Sequence, residues 1–272
     1  MKNTKVHSFL ELLNQTHKAE WEASPSIQGA SAWLSDLIEF LFPNNRLNRY
    51  STYEGILKKN QIDLENMLLS YLDPNDYDIE LAVNSFYDDL ETIYKNLRRD
   101  ALKIYESDPA ATSVNEVVVT YPGFYAIAVY RIAHKLTQLG IPILPRVLTE
   151  LAHGKTGIDI HPNAIIGVPF FIDHGTGIVI GSTAVIGNNV SIYQGVTLGA
   201  LQVSKQLSNI KRHPTVEDNV IIYARTTILG GETIIGRGSI IGGSVFLTKS
   251  VKPYSHVFNT HQLRIDSKEQ LV

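Results

Sequence analysis

The chain contains no cysteine. Disulfides, thiol nucleophiles and thiolate-held metals are therefore excluded, and a cytoplasmic location is expected. A basic excess is also missing: 24 Lys and Arg stand against 27 Asp and Glu, a formal net charge of −3. No cationic field is then available for holding nucleic acid. Long apolar runs are absent too. Stretches such as residues 164–172 are far too short to cross a bilayer, so no membrane partner is expected. The opening stretch, MKNTKVHSFLELLNQTHKAEW, carries charges within its apolar pattern and no small-residue cleavage site, which argues against a signal peptide.

What remains is an ordinary globular composition, 44% hydrophobic and 19% charged over 272 residues, enough for one large domain or two modest ones. The first half has a helical period. Residues 30–42 place Trp33, Leu37 and Phe40 or Leu41 on one face, and residues 53–72 repeat the habit. Residues 79–106 form a long amphipathic pattern that Asp108-Pro109 stops. Helices over about 124–138, ended by Gly140, and about 145–153 follow.

After Gly157 the period becomes six. Ile160, Ile166, Ile172 and Ile178 keep it, as do Ile180, Ile186, Ile192 and Leu198 in a phase two residues later. The beat disappears in GALQVSKQLSNIKRHP (199–214), resumes at Val216, Ile222 and Ile228, and returns one residue late at Ile235, Ile241 and Leu247. Neither 3.6 nor 2 explains a period of six. A solenoid does: each hexad is a short strand and a turn, and three hexads make one triangular coil with aliphatics inside. Gly181, Gly187, Asn188, Asn189, Gly236 and Gly238 fall where its turns need positive φ, and the late step suggests a bulge near Gly230-Gly231.

One hexad breaks the aliphatic pattern with Asp173-His174-Gly175. Here the residues resemble a known family. DIHPNAIIG from Asp159, IDHGTGIVIG from Ile172, YQGVTLGA from Tyr193 and KRHP from Lys211 are similar to serine O-acetyltransferase, a member of the hexapeptide-repeat acyltransferase superfamily. SDPAA from Ser107 and YPGFYAIAVYRIAHKL from Tyr121 resemble that family's helical region. The resemblance implies an α+β fold, an N-terminal α-helical domain followed by a left-handed parallel β-helix. The expected divisions are a helical domain over 1–156, a β-helix over 157–252 with a protruding loop at 199–215, and a tail over 253–272. It implies transfer of acetyl from acetyl-CoA to L-serine, giving O-acetylserine for cysteine biosynthesis, with no metal. It also implies a homotrimer joined into a hexamer through the helical domains, active sites between neighbouring chains, and L-cysteine as feedback inhibitor. A complex with O-acetylserine sulfhydrylase stays open, because such family members end in isoleucine and this chain ends in Val272.

An alcohol attacking a thioester needs a base within hydrogen-bond reach. His174 is the candidate: it falls two residues after Ile172, at the inward slot filled later by Ile180, Ile186 and Ile192, with Gly175 leaving room for a ligand. Its alternative is a wall histidine satisfied by neighbours. Asp159, fifteen residues earlier, is expected across one corner, where it would orient the ring as a triad carboxylate does. Alone, Asp159 reads equally well as a turn residue. The resemblance assigns serine binding to Asp108, Asp173, Arg212 and His213. Carboxylates suit the ammonium and a planar guanidinium suits the carboxylate. Taken singly, Arg212 is a solvated loop charge and Asp108 a helix stop. For the pantetheine arm of acetyl-CoA the resemblance points to Gly199, Ala200, Ala224, Gly242 and Gly243, small enough for backbone approach, though turn geometry alone would explain each glycine. One departure is Gly181-Ser182-Thr183-Ala184, where the family usually has Gly-Glu-Thr-Ala. Rival readings are an O-acetyltransferase for a sugar or other hydroxyl metabolite, a zinc-dependent γ-type carbonic anhydrase, which needs three converging histidines, and a non-catalytic scaffold.

Overall fold

The computed structural model describes residues 4–20, 23–43, 52–201 and 210–260. The middle of the expected loop, 202–209, and the end of the chain with Val272 lie outside the described residues. The helical part comprises α1 (Thr4–Glu20), α2 (Ile27–Leu41), α3 (Tyr53–Leu69), α4 (Ile79–Asp88), α5 (Leu90–Ser107), α6 (Val114–Thr120), α7 (Pro122–Gln138) and α8 (Leu144–Thr156). Side-chain caps start several of them: Ser26, Thr52, Asp78 and Ser113 each accept a backbone N–H three residues on. The long pattern at 79–106 is two helices. The Asp88-Asp89 pair, poor in helix propensity, marks the junction between α4 and α5. Gly157 ends α8 in the left-handed region, φ 72°.

The solenoid follows in three parallel sheets. The first contains β1 (Asp159–Ile160), β4 (Val179–Ile180), β7 (Thr197–Gly199), β10 (Thr227–Leu229) and β13 (Phe246–Leu247). The second contains β2 (Ile165–Ile166), β5 (Val185–Ile186), β8 (Thr215–Val216) and β11 (Ile234–Ile235). The third contains β3 (Phe170–Asp173), β6 (Val190–Tyr193), β9 (Ile221–Ile222), β12 (Ile240–Ile241) and β14 (His256–Val257). The predicted hexad aliphatics form the buried interior, except Leu247 in the last coil, which is half-buried. The late step at 228–235 is not a bulge: β10 is one residue longer, with Leu229 opposite Gly199. Of the six turn residues expected at positive φ, Asn189 and Gly238 adopt it, whereas Gly181, Gly187, Asn188 and Gly236 do not.

Register locates the phase change seen in the sequence. Ile172 pairs with Ile192, twenty residues on, but Val179 pairs with Thr197, only eighteen on. Two extra residues therefore sit between Asp173 and Val179, at the corner joining the third sheet to the first. Register also shows a second insertion between β7 and β8, at the corner joining the first sheet to the second, because Val185 pairs with Thr215, thirty residues on.

Helix α7 locks the helical part to the first coil. Tyr130 donates to Ala164 O at 2.6 Å, the His134 ring meets Pro162 O at 2.7 Å, and Arg131 donates to Gly167 O at 3.0 Å. Arg131 is itself paired with Asp100 of α5 through two hydrogen bonds, 2.5 and 2.9 Å, with both side chains buried. Asp100 also accepts the N–H of Phe170 in β3 at 2.8 Å. One buried ion pair thus joins α5, α7 and the strand that leads to His174.

Candidate active site

His174 lies within the two-residue insertion. Its φ is 57° and its side chain is 71% exposed, so it points outward from the corner and does not fill an inward slot. The expectation of an inward histidine came from counting six back from Ile180, across the insertion. Gly175 has a different use from the one expected. Its φ is 87°, and a side chain there would run into Ile158 and Ile172, so glycine satisfies backbone and wall packing.

Two carboxylates flank this corner. Asp173 ends β3, and its Oδ1 lies 3.6 Å from His174 Nδ1. Asp108 caps α5. It accepts the Tyr121 hydroxyl at 2.6 Å and the Ala110 N–H at 2.8 Å. Those bonds, Tyr121 first, together with the nearby His174 imidazole, hold the Asp108 carboxyl below its usual range. The same bond pushes the Tyr121 phenol up to about 12, with Asp173 adding to the field. Tyr193, opposite Asp173 in the ladder, is also raised, by burial first and then by Tyr223, Asp173 and Asp108. Asp108, Tyr121, Asp173, His174 and Tyr193 thus share one electrostatic neighbourhood. Gly123 permits it: a Cβ there would stand 2.5 Å from Ile172 O, so only glycine lets the start of α7 rest on β3.

Arg212 and His213 occupy the corner between the first and second sheets. Thr183 organises them. Its Oγ1 accepts the N–H groups of Arg212 (2.9 Å) and His213 (3.1 Å) and lies 2.8 Å from His213 Nδ1. Nδ1 also accepts the Thr183 N–H at 3.1 Å, a network that assigns the ring proton to Nε2. Burial, followed by the Arg212 and Lys211 charges, lowers the His213 pKa to about 4. Its ring packs against Gly181, where a Cβ would collide with it. Arg212 Nη2 donates to Ser182 Oγ at 3.0 Å, so the residue replacing the family's glutamate is a neutral acceptor. Lys211 closes the loop root by donating to the carbonyls of Thr183 (2.7 Å), His213 and Pro214.

Asp159 lies on the first sheet, opposite Val179. Its carboxylate accepts from Arg146 of α8 at 3.2 Å, and among the described residues no hydrogen bond or ion pair joins it to His174. Glu150, His153 and Asp159 are the group of described residues whose ligand atoms converge as a metal would require. Arg146 already pairs with two of them, and neither His174 nor His213 belongs to the group. This arrangement does not fit the three-histidine zinc site of a γ-type carbonic anhydrase.

The residues expected along acetyl-CoA also divide between corners. Gly199 and Ala200 sit at the loop root beside Leu229. Ala224 and Gly243 stack below His174, with the Ala224 carbonyl 3.2 Å from where a Gly243 Cβ would be. Gly242 packs under Phe258, whose ring would stand 2.8 Å from an added Cβ. Between His174 and Ala224 lies Gln194, whose Oε1 is buried and has no hydrogen-bond partner. A column of small residues with one unmatched acceptor fits an extended amide chain.

A parallel β-solenoid carrying an exposed histidine between carboxylates is the arrangement of a hexapeptide-repeat acyltransferase. No protein-family model matches the chain. A plasmid-encoded serine acetyltransferase of Synechococcus elongatus is 49% identical over 190 residues, 68% of this chain and 59% of that protein. The serine acetyltransferase of Bacillus licheniformis is 48% identical over 155 residues, 57% of this chain and 69% of that protein. The crystal structure of Entamoeba histolytica serine acetyltransferase isoform 3 with cysteine superposes with a TM-score of 0.76 at 32% identity, covering 96% of this chain and 95% of that one. The chain belongs to the serine acetyltransferase family.

Several residues of these corners were not singled out from the sequence. Tyr121, Tyr193 and Thr183 stand inside the motifs, but only the fold shows that Tyr121 bonds Asp108, that Tyr193 lies opposite Asp173 in the ladder, and that Thr183 meets the His213 ring. Arg146 and Gln194 carried no sequence signal beyond their neighbours.

Proposed function

We propose that the chain transfers the acetyl group of acetyl-CoA to the hydroxyl of L-serine, yielding O-acetylserine and free CoA. The observation that carries this reading is the exposed His174 beside Asp108 and Asp173. Two carboxylates suit an acceptor with an ammonium group, which separates an amino acid from a neutral sugar. His174 takes the hydroxyl proton as the oxygen attacks the thioester carbonyl. The C–S bond then breaks and the imidazolium returns the proton to the leaving thiolate, so no acyl-enzyme is needed. Asp108 and Asp173 hold the ammonium, and Arg212 with the Nε2–H of His213 receives the serine carboxylate. Asp159 is assigned the positioning of His174 from the family resemblance alone, since within one chain its carboxylate pairs with Arg146.

The two corners are separated on one chain. We therefore assign a homotrimer in which the His174 corner of one copy meets the Arg212 corner of the next, with two trimers joined through the helical parts. L-Cysteine, bound in the Entamoeba relative, has the same ammonium and carboxylate as serine and is proposed to compete for the pocket. No helix among the described residues is long and apolar enough to cross a membrane. A cytoplasmic location is proposed from the absence of cysteine and from the acetyl-CoA requirement.

The test is steady-state thiol release from acetyl-CoA with L-serine against a panel of sugars and other alcohols, with and without L-cysteine. Saturation by serine and competition by cysteine are expected. Preference for a sugar, or no consumption of acetyl-CoA with any acceptor, would overturn the reading.

A further inference from the structure

Gln194 has no role in the functions described so far. Its Oε1 is the buried side-chain oxygen or nitrogen that, among the described residues, lacks a hydrogen-bond partner. A buried acceptor left unmatched costs roughly 1–3 kcal/mol, so turning the Gln194 amide out to a donor at the corner surface would be favourable.

The register states where that donor must come from. Asp173 pairs with Tyr193, and Val179 pairs with Thr197. The Gly195 N–H bonds to Thr176 O at 3.0 Å. Gln194 is thus the one residue facing the whole segment His174-Gly175-Thr176 across a rung. On its other side the Arg225 N–H bonds to Gln194 O at 2.9 Å, which places Ala224 and then Gly243 in the same column. Read down the corner, the column is His174, Gln194, Ala224, Gly243: a base, an unmatched acceptor and two residues too small to block a chain.

We infer that Gln194 Oε1 accepts the amide N–H nearest the sulfur in the pantetheine arm of acetyl-CoA. The inference rests on the acetyl-CoA reading above and adds a residue to it. The distances agree. In an extended arm that nitrogen lies four bonds from the acetyl carbon, roughly 5 Å. Adjacent rungs are separated by about 4.8 Å. A thioester carbonyl at the level of His174 therefore brings its first amide to the level of Gln194. The hydrogen bond fixes how far the arm slides along the corner, and so where the carbonyl stops relative to the base. Gln194 is a positioning and recognition residue, and proton transfer remains with His174.

The experiment is equilibrium binding of free CoA by calorimetry to the intact protein and to Gln194→Met and Gln194→Glu. Methionine keeps the length and loses the acceptor. Glutamate keeps an acceptor oxygen and loses the amide protons. The Met variant is expected to bind CoA about tenfold more weakly or worse, while serine binding, measured separately, stays unchanged. The Glu variant is expected to stay within a few-fold of the parent. Thermal unfolding of each variant identifies one that has not folded, and Gln194→Leu, which also lacks the acceptor, then takes the place of the Met variant. Unchanged CoA affinity in the Met variant would overturn the inference and would assign the missing donor to a neighbouring copy. Equal loss in both variants, or loss of serine binding in place of CoA, would overturn it too. CoA binding needs no acceptor turnover, so this outcome is separate from whether serine is the substrate.

Discussion

At position 174 the backbone takes a conformation that few side chains tolerate, and histidine, with asparagine and aspartate, is among those enriched there. His174→Asn therefore removes the proposed base while keeping the turn. Because the side chain is mostly exposed, the melting temperature should stay close to the parent's, while kcat for thiol release falls by about 10²–10⁴. Retained turnover would remove His174 from the mechanism. His213 gives a second residue-scale expectation. In the fold its pKa is about 4, whereas an unfolded imidazole titrates near 6.5. Within that window the unfolded chain binds the extra proton. His213 thus contributes its full stability above about pH 6.5 and loses it progressively as pH falls toward 4. Urea unfolding across this range should show that slope in the parent and a shallower one in His213→Gln.

Among the elements, the α5–α7–β3 junction carries the largest predicted stability effect. Asp100→Leu or Arg131→Met alone leaves a buried charge unpaired and should cost about 3–5 kcal/mol by chemical denaturation. The double variant should lose clearly less than the two single losses added. A fully additive result would mean that the pair does not act as one unit. This scale also shows what the sequence could reveal. A period of six was legible because every inward position of the solenoid meets the same apolar surroundings, rung after rung. The helices over 30–42, 124–138 and 145–153 were legible for a similar reason, as apolar stripes packed on one core. The break at Asp89 was not, since a two-residue junction barely disturbs a helical stripe. The orientation of His174 was misread because two competing phases of the beat overlap at 172–180, and only strand register separates them. Contacts such as Tyr121 with Asp108, or Thr183 with His213, join residues 13 and 30 positions apart and follow from no local pattern.

For the whole molecule, the separation of His174 from Arg212 leads to a mixing experiment. His174→Asn and Arg212→Ala proteins, each nearly inactive, are dissociated and reassembled together. If each site draws one corner from each of two copies, random pairing leaves about a quarter of the sites with both corners intact. Recovery of about that share of parental activity is expected, and no recovery would mean that each chain builds its own site. A solenoid also imposes regularity on whatever it holds. Its rungs repeat at one spacing, so side chains along the His174 corner are available only at fixed graduations from the base. If acetyl-CoA lies along this edge as proposed, recognition works like a ruler: a substitution at Gln194, Ala224 or Gly243 reads the ligand one, two or three marks away, and none of the three shifts the zero.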